Sequence, residues 1–431
     1  MTSLLQRKGT VGLVATNTVA QGDTREVGLD AMVAAGFTIT RAIQSRSWPA
    51  SSANLEYAAA WGTLSPVPDD VPRVADDIRV RRISTLLEPA GRTEGNPIRL
   101  KENSGIAFQG CIVLGMGFVL ETEKAQEWIT ADPRNAEVIF PYLNGEDLNS
   151  RTDASASRWV IDFNNRIEAE SASYELPFQH VTAQVKPERQ RLNGDGSFVL
   201  RKPLPSRWWQ YGDKRPALRK AITGLSEVLV IALVSKTVMP VRVRTGQVFS
   251  HMLGVFAFDS YGAQAVLSSN LHQIWAITYG STLETRVRYT PSDVFETFPR
   301  PAATGRLDAA GRILDEGRRE IMMRRDLGLT KLYNLVNDPM TRQDKDVDRL
   351  REIHVEVDEA AMAAYGWDNV PLGHGFHTYR QVQRWTVCPA ARVEALDRLL
   401  LENHRRAAEE RRNRAFAPKG TIPAEEGTLF A

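Results

Sequence analysis

The chain has 431 residues, 42% hydrophobic and 25% charged, with a formal net charge of +2, values that predict two to three globular domains. No apolar run reaches the length of a membrane span and the first residues lack a charged-then-apolar leader, so no membrane partner is expected. Cys111 and Cys388 are the only cysteines, which excludes a cysteine-rich zinc module and a disulfide framework and suits a reducing cytoplasm.

The apolar run Val11–Ala15 predicts a buried strand. Gly22-Asp23-Thr24 opens a helix that runs to about Ala35, with Gly36 as its stop. Phe37–Ile43 and Leu55–Trp61 predict two further strands, joined by the turn-rich Ser45–Asn54. A strand, a helix and a hairpin form the end of a doubly wound sheet, and these pieces leave one edge of Val11–Ala15 unpaired. The expectation is a C-terminal remnant of a larger α/β domain over 1–64. Residues 65–95, rich in proline and charge, read as a linker.

Short strands then dominate: Ile106–Gln109, Cys111–Leu114, Gly117–Leu120, Val138–Tyr142, Trp159–Phe163, Val228–Val234, Val248–Met252 and Val255–Phe258. Helices are expected at Thr122–Ile129, Ser171–Glu188, Arg215–Leu225 and Gly262–Tyr279. This mixture predicts an α+β domain over 96–300. After Pro301, apolar residues recur at three and four positions over Leu307–Leu327, Thr330–Val336, Thr341–Tyr365 and Val393–Arg414, which predicts a helical domain over 301–415. Residues 416–431 read as a disordered tail. The fold class expected is thus α/β and α+β, multidomain.

Positive charge is concentrated in 186–250, where thirteen Lys and Arg face four carboxylates. Cations interleaved with Trp208-Trp209-Gln210-Tyr211 suit a surface that holds phosphates and touches bases. Guanine is read by bidentate Arg or Lys and adenine by Asn or Gln, each good pair contributing about 1–3 kcal/mol. Lys186, Arg189, Lys202, Trp208, Lys236, Arg242, Arg244 and Gln247 are therefore the candidate DNA-binding residues. Arg242 and Arg244 are two apart in a predicted strand, so both can face one groove. Against this stands an ordinary solvated face of surface arginines, with Trp208 and Trp209 as core.

Two motifs are weighed and set aside. Gly115-Met116-Gly117-Phe118 imitates a nucleotide-binding glycine turn but has no acidic residue at the ribose distance, and reads as a turn in the α+β domain. His374-Gly-Phe-His377 lacks an acidic third ligand, and reads as a structural loop. Asn144 and Asp147 are expected to shape a turn.

Longer strings carry a resemblance. Gly12-Leu-Val-Ala-Thr-Asn-Thr-Val-Ala-Gln-Gly-Asp-Thr-Arg-Glu-Val-Gly28, Ser47-Trp-Pro and Ala53-Asn-Leu-Glu-Tyr-Ala58 resemble the last part of the methyltransferase domain of type IIL (MmeI-like) restriction–modification enzymes. Phe108-Gln-Gly110, Phe140-Pro-Tyr-Leu-Asn-Gly-Glu-Asp147, Lys186-Pro-Glu-Arg189, Ser235-Lys-Thr237 and Thr290-Pro-Ser-Asp-Val-Phe-Glu-Thr-Phe-Pro299 are similar to their target recognition domain. Lys331-Leu-Tyr-Asn334 and Ala364-Tyr-Gly-Trp367 match their C-terminal helical segment. The resemblance covers residues 9 to 412.

It implies a site-specific adenine DNA methyltransferase with double-stranded DNA as partner and S-adenosylmethionine as the family's cofactor. The sequence departs from the family in having no Pro-Pro dipeptide, hence no Asn-Pro-Pro-aromatic clamp for the adenine, and no glycine motif upstream of Val11. No catalytic or cofactor-binding residue is expected here, and S-adenosylmethionine is not expected to bind this chain alone. A complementing chain with the missing half is expected to dock along Val11–Ala15. The alternatives are a non-enzymatic DNA-binding specificity protein and an inactive remnant.

Overall fold

Alternation along Thr10–Thr16 makes β1, which half-buries Val11, Leu13 and Ala15 and exposes Thr10, Gly12, Val14 and Thr16. The computed structural model describes residues 9–49, 56–93, 95–283, 286–379 and 382–416. β1 pairs antiparallel with β3 (Glu56–Thr63), from Thr10 opposite Thr63 to Thr16 opposite Tyr57, and β2 (Thr38–Ser47) lies on the other side of β3. The strand expected to be buried is thus a half-exposed edge strand. Small residues explain why β3 is central: Ala58, Ala59 and Ala60 are buried, and a Cβ on Gly62 would lie 2.4 Å from the Phe37 ring and the Thr38 carbonyl oxygen. The predicted helix is a helical run over 22–34 whose middle turn, Glu26–Asp30, widens to a π turn.

The expected linker at 65–95 instead continues this sheet. β4 (Arg73–Ala75) lies parallel to β2 and β5 (Ile78–Val80) returns antiparallel, giving the order β1-β3-β2-β4-β5. Asp76 and Asp77, with φ of 46° and 68°, supply the two left-handed residues of a tight hairpin. Three-residue strands are too short to show an alternation, which is why the sequence reads there as a connection.

Two four-stranded sheets fill the next region, beside a small third one in which Val234–Ser235 pairs with Arg286–Arg288. β6 (Ala107–Gln109), β7 (Val119–Leu120), β8 (Ile139–Leu143), β9 (Arg158–Ile161), β10 (Glu227–Ala232), β11 (Val234–Ser235), β12 (Val241–Arg244), β13 (Val248–Phe249) and β14 (Leu253–Phe256) follow in chain order. The antiparallel order β12-β10-β14-β6 forms one sheet and β13-β8-β9-β7 the other. β13 and β14, four residues apart, tie the two together. Cys111–Leu114, expected as a strand, makes only single bridges, Cys111 to Ser250 and Ile112 to Asp213. The helix expected over Ser171–Glu188 falls into short segments that include Glu175–Gln184 and Lys186–Arg189.

β10 is apolar without alternation because both its faces are covered. The helix expected over Gly262–Tyr279 breaks at Ser269, whose extended backbone and hydroxyl cap the second helix by accepting the His272 N–H at 3.3 Å. The resulting helices, Tyr261–Ser268 and Asn270–Tyr279, pack under the long helices Gly305–Arg325 and Lys345–Tyr365. Gly311 permits that approach, since a Cβ there would lie 1.9 Å from the Tyr261 carbonyl oxygen. The C-terminal helices therefore have no separate core. Leu253, Trp275, Leu314, Val357 and Leu399 belong to one buried cluster that crosses the boundary expected at residue 300.

The expected helices appear at Gly305–Arg325, Leu329–Val336, Lys345–Tyr365 and Pro389–Phe416, with an unanticipated hairpin, Gly375–Tyr379 against Val382–Thr386, before the last. Asp358, fully buried, accepts the Asn270 N–H and Asn270 Nδ2, each at 2.6 Å, and contacts His374 Nε2 at 2.7 Å. His377 Nε2 meets the Gly373 carbonyl at 2.9 Å. The histidine pair thus pins this hairpin, as the loop reading expected. The predicted tail, apart from Phe416, lies outside the described residues. Among those residues no helix is long and apolar enough to cross a membrane.

Candidate nucleic-acid interface

The basic stretch spans both sheets. Its first half lies against the core of the β13-β8-β9-β7 sheet, where Trp208, Trp209 and Tyr211 are buried with Phe118, Phe163 and Val185. Trp208, 2% exposed, packs 5.4 Å from the Phe178 ring and 5.7 Å from the Trp209 ring, centroid to centroid. It is a core residue, unable to stack on a base. Lys186, half-buried, sets Nζ 4.7 Å over the outer face of that indole, so its charge stays near the surface while its stem covers the ring.

Arg189, 1% exposed, is corrected in the same way. One terminal nitrogen donates to the Val113 and Leu114 carbonyls at 3.1 and 2.5 Å, and the guanidinium lies over the Phe118 ring. Burial pushes its pKa down. Arg189 thereby fixes the backbone leading into Gly115-Met-Gly-Phe118, whose Gly115 has φ of 130°. A Cβ on Gly117 would lie 2.6 Å from Gln184 Cβ, so that turn is packed against a helix and has no room for a phosphate. Asn144 caps the helix Gly145–Ser150 by accepting the Glu146 and Asp147 N–H groups at 2.8 and 3.0 Å, the turn-shaping role expected of it.

Arg242, 4% exposed, is the third correction. It donates to the Asp259 carbonyl at 2.7 Å and to Gln264 Oε1 at 3.2 Å, and its guanidinium carbon lies 4.1 Å from the Tyr261 ring centroid. Gln264 in turn donates to Asp315 at 2.8 Å. The guanidinium thus joins β12 to the helix Tyr261–Ser268 and, through Gln264, to Asp315 on the helix Gly305–Arg325, while its buried Nε makes no hydrogen bond. Arg244, opposite Glu227 where β12 ends, is exposed. The turn that follows, with Gly246 at φ of 77°, brings Gln247 Nε2 back to the Arg244 carbonyl at 2.7 Å. Lys236 is exposed beyond β11, past the Ala232 end of β10, whereas Arg244 sits beside the Glu227 end. The two are therefore not brought together.

What remains is a set of exposed cations: Arg191, Lys202, Arg207, Lys220, Lys236 and Arg244. Among the described residues none has a side-chain hydrogen bond or ion pair. Several exposed arginines of the C-terminal helices are instead paired, Arg306 with Glu356, Arg324 with Asp346, Arg349 with Glu320 and Arg405 with Glu402, although Arg411 and Arg412 there are exposed and unpaired among the described residues. Inward of the free cations, Lys214 donates to Asn165 and Gln210, and Arg219 to Asp162. Arg191, Arg207 and Lys220, outside the candidate set, were legible only as members of a charge run. Pairing, which separates free cations from structural ones, depends in part on acids distant in sequence, as Glu356 is from Arg306.

A solved structure of the type IIL restriction–modification enzyme MmeI, in complex with DNA, matches 94% of this chain with a TM-score of 0.67 at 16% identity. The chain shares its fold with half of that enzyme. The match covers 50% of the MmeI chain. The type IIG restriction endonuclease BpuSI aligns over 85% of this chain and 48% of its own, with a TM-score of 0.32 and 11% identity. No protein-family model and no curated protein matches the sequence.

Proposed function

We propose that this chain is the DNA target-recognition part of a site-specific adenine DNA methyltransferase in a restriction–modification system. The observation that carries the reading is the set of unpaired, exposed cations between Arg191 and Arg244, on a fold shared with an enzyme solved on DNA. Unpaired cations exchange condensed counterions for phosphates at little cost, whereas paired ones must first break an ion pair. Lys202 and Lys236 act on the backbone. Arg244, with Gln247 behind it on the same turn, reads a base edge. Lys202→Ala should weaken binding to all duplexes alike in a mobility-shift assay, and Arg244→Ala should relax preference at one base position, by about 1–3 kcal/mol. Equal losses on every sequence for both variants would reduce Arg244 to a phosphate contact.

The described residues do not fit S-adenosylmethionine, which such enzymes hold on a glycine-rich turn between strand and helix. After β1 comes Asn17-Thr18-Val19, with Asn17 Nδ2 spent on Glu56 at 2.9 Å, and the Gly115–Phe118 turn is packed against Gln184. We propose that donor site and adenine clamp reside in a complementing portion that docks along β1. The outer edge of β1 pairs with no strand among the described residues, and no Pro or Lys blunts it between Val11 and Ala15. Calorimetric titration of this chain with S-adenosylmethionine should give no heat, and co-expression with a chain bearing those elements should yield a soluble complex that methylates adenine. Saturable micromolar binding by this chain alone would overturn the division. A DNA-binding specificity protein without catalysis would form no such complex.

A further inference from the structure

A cavity of about 1050 Å³ lies where the N-terminal sheet, the 82–96 segment, the helix Asn270–Tyr279 and the helix Pro389–Phe416 meet. Phe37, Tyr279, Leu396 and Leu400 contribute its apolar wall. Arg73 and Ala75, two apart in β4, both line it, as strand alternation requires, while Val74 does not. Arg73 is 8% exposed, and its buried Nε has no hydrogen-bond partner. Among the described residues the guanidinium has no ion pair either.

The acids around the cavity have other partners, and Glu88, which also lines it, accepts from Gln44 Nε2 and from the Tyr379 hydroxyl at 3.0 Å. Asp30 is held by Arg25 and Asn96, Asp397 by Arg92 and Thr93, and Asp69 by Arg82. Asp76 accepts the Gln44 N–H at 3.2 Å, and burial raises its carboxyl above the usual range. A buried guanidinium without an anion is costly, and the residues that could relieve it within this chain are taken. Size, an apolar wall and, among several charged lining residues, a buried guanidinium without an ion pair are the attributes of a small-molecule site.

We propose that this cavity binds a small organic anion with an apolar body, its anionic group held by Arg73. The site is separate from the exposed cations of 191–244 and stands or falls independently of DNA binding. A phosphate or a carboxylate could supply the head. The test is calorimetric titration and thermal unfolding of the full chain with adenosine 5′-monophosphate and with 1-naphthoate, each beside its uncharged counterpart, adenosine and 1-naphthylmethanol. At least one anion should bind saturably and raise the unfolding temperature, and its counterpart should not. Arg73→Met should weaken that anion by about tenfold or more, the value of a charge-assisted hydrogen bond, and Arg73→Lys, which keeps the charge but loses the fork, should fall between. Without ligand, Arg73→Met should unfold at a higher temperature than the parent, because an unpaired buried charge is gone. Duplex binding should be unchanged in both variants. Failure of both anions to bind the parent, or equal binding by parent and Arg73→Met, would overturn the proposal.

Discussion

Arg242→Ala should lower the stability of the chain by about 3 kcal/mol, in the range for removing one partner from a buried charged cluster, and leave the base preference of the refolded protein untouched. The side chain is spent on the Asp259 carbonyl and Gln264, and it stacks on Tyr261. Its loss leaves the buried Gln264 Oε1 and the Asp259 carbonyl each short of a donor, and opens a void beneath the Tyr261 ring. A shift of the urea midpoint with the slope unchanged is the expected signature. Arg244→Ala, one pleat further along the same strand, should change stability by no more than about 0.5 kcal/mol, as exposed substitutions do. If Arg242→Ala were as stable as the parent and altered base preference, the assignment of Arg242 to the core would be wrong.

Asp358→Ala should cost about 3–5 kcal/mol, the largest effect expected in this chain, because it strands three donors at once. Asn270 loses acceptors for both its backbone N–H and its side-chain amide, and His374 loses its carboxylate. Thr386, which donates to Asn270 Oδ1 at 2.6 Å, loses the partner that oriented that amide. The helix Asn270–Tyr279, the helix Lys345–Tyr365 and the hairpin Gly375–Thr386 are thus released together. Denaturant unfolding measures the loss. Asp358→Asn, which keeps one acceptor, should recover part of it, and a value near zero for Asp358→Ala would mean that the hairpin is held by its apolar contacts alone.

These two cases show what the sequence could convey. The long C-terminal helices were legible because apolar residues recur at three and four positions over five turns, so their boundaries fell within a few residues. That they share a core with β10 and β14 was not legible, since an amphipathic stripe does not say what it covers. Strand parity put Arg242 and Arg244 on one face, and that much was sound. Parity could not reveal that Tyr261 roofs the first position while the strand ends at the second. Trp208 and Arg189 misled for a related reason: a basic run with aromatics describes a DNA surface and a cation-covered core equally well. The short strands β4 and β5, and the cavity that β4 helps to enclose, were invisible, because Arg73, Tyr279, Tyr379 and Leu396 are far apart in the chain and meet only in the fold.

The salt dependence of duplex affinity is the sharpest test of whether the free cations between Arg191 and Arg244 form the proposed DNA-binding surface. With about six phosphates contacted, log K should fall against log[salt] with a slope near −5, and Lys202→Ala should reduce that slope by about 1. A slope near zero, or one unchanged when Lys202, Lys236 and Arg244 are replaced together, would contradict it.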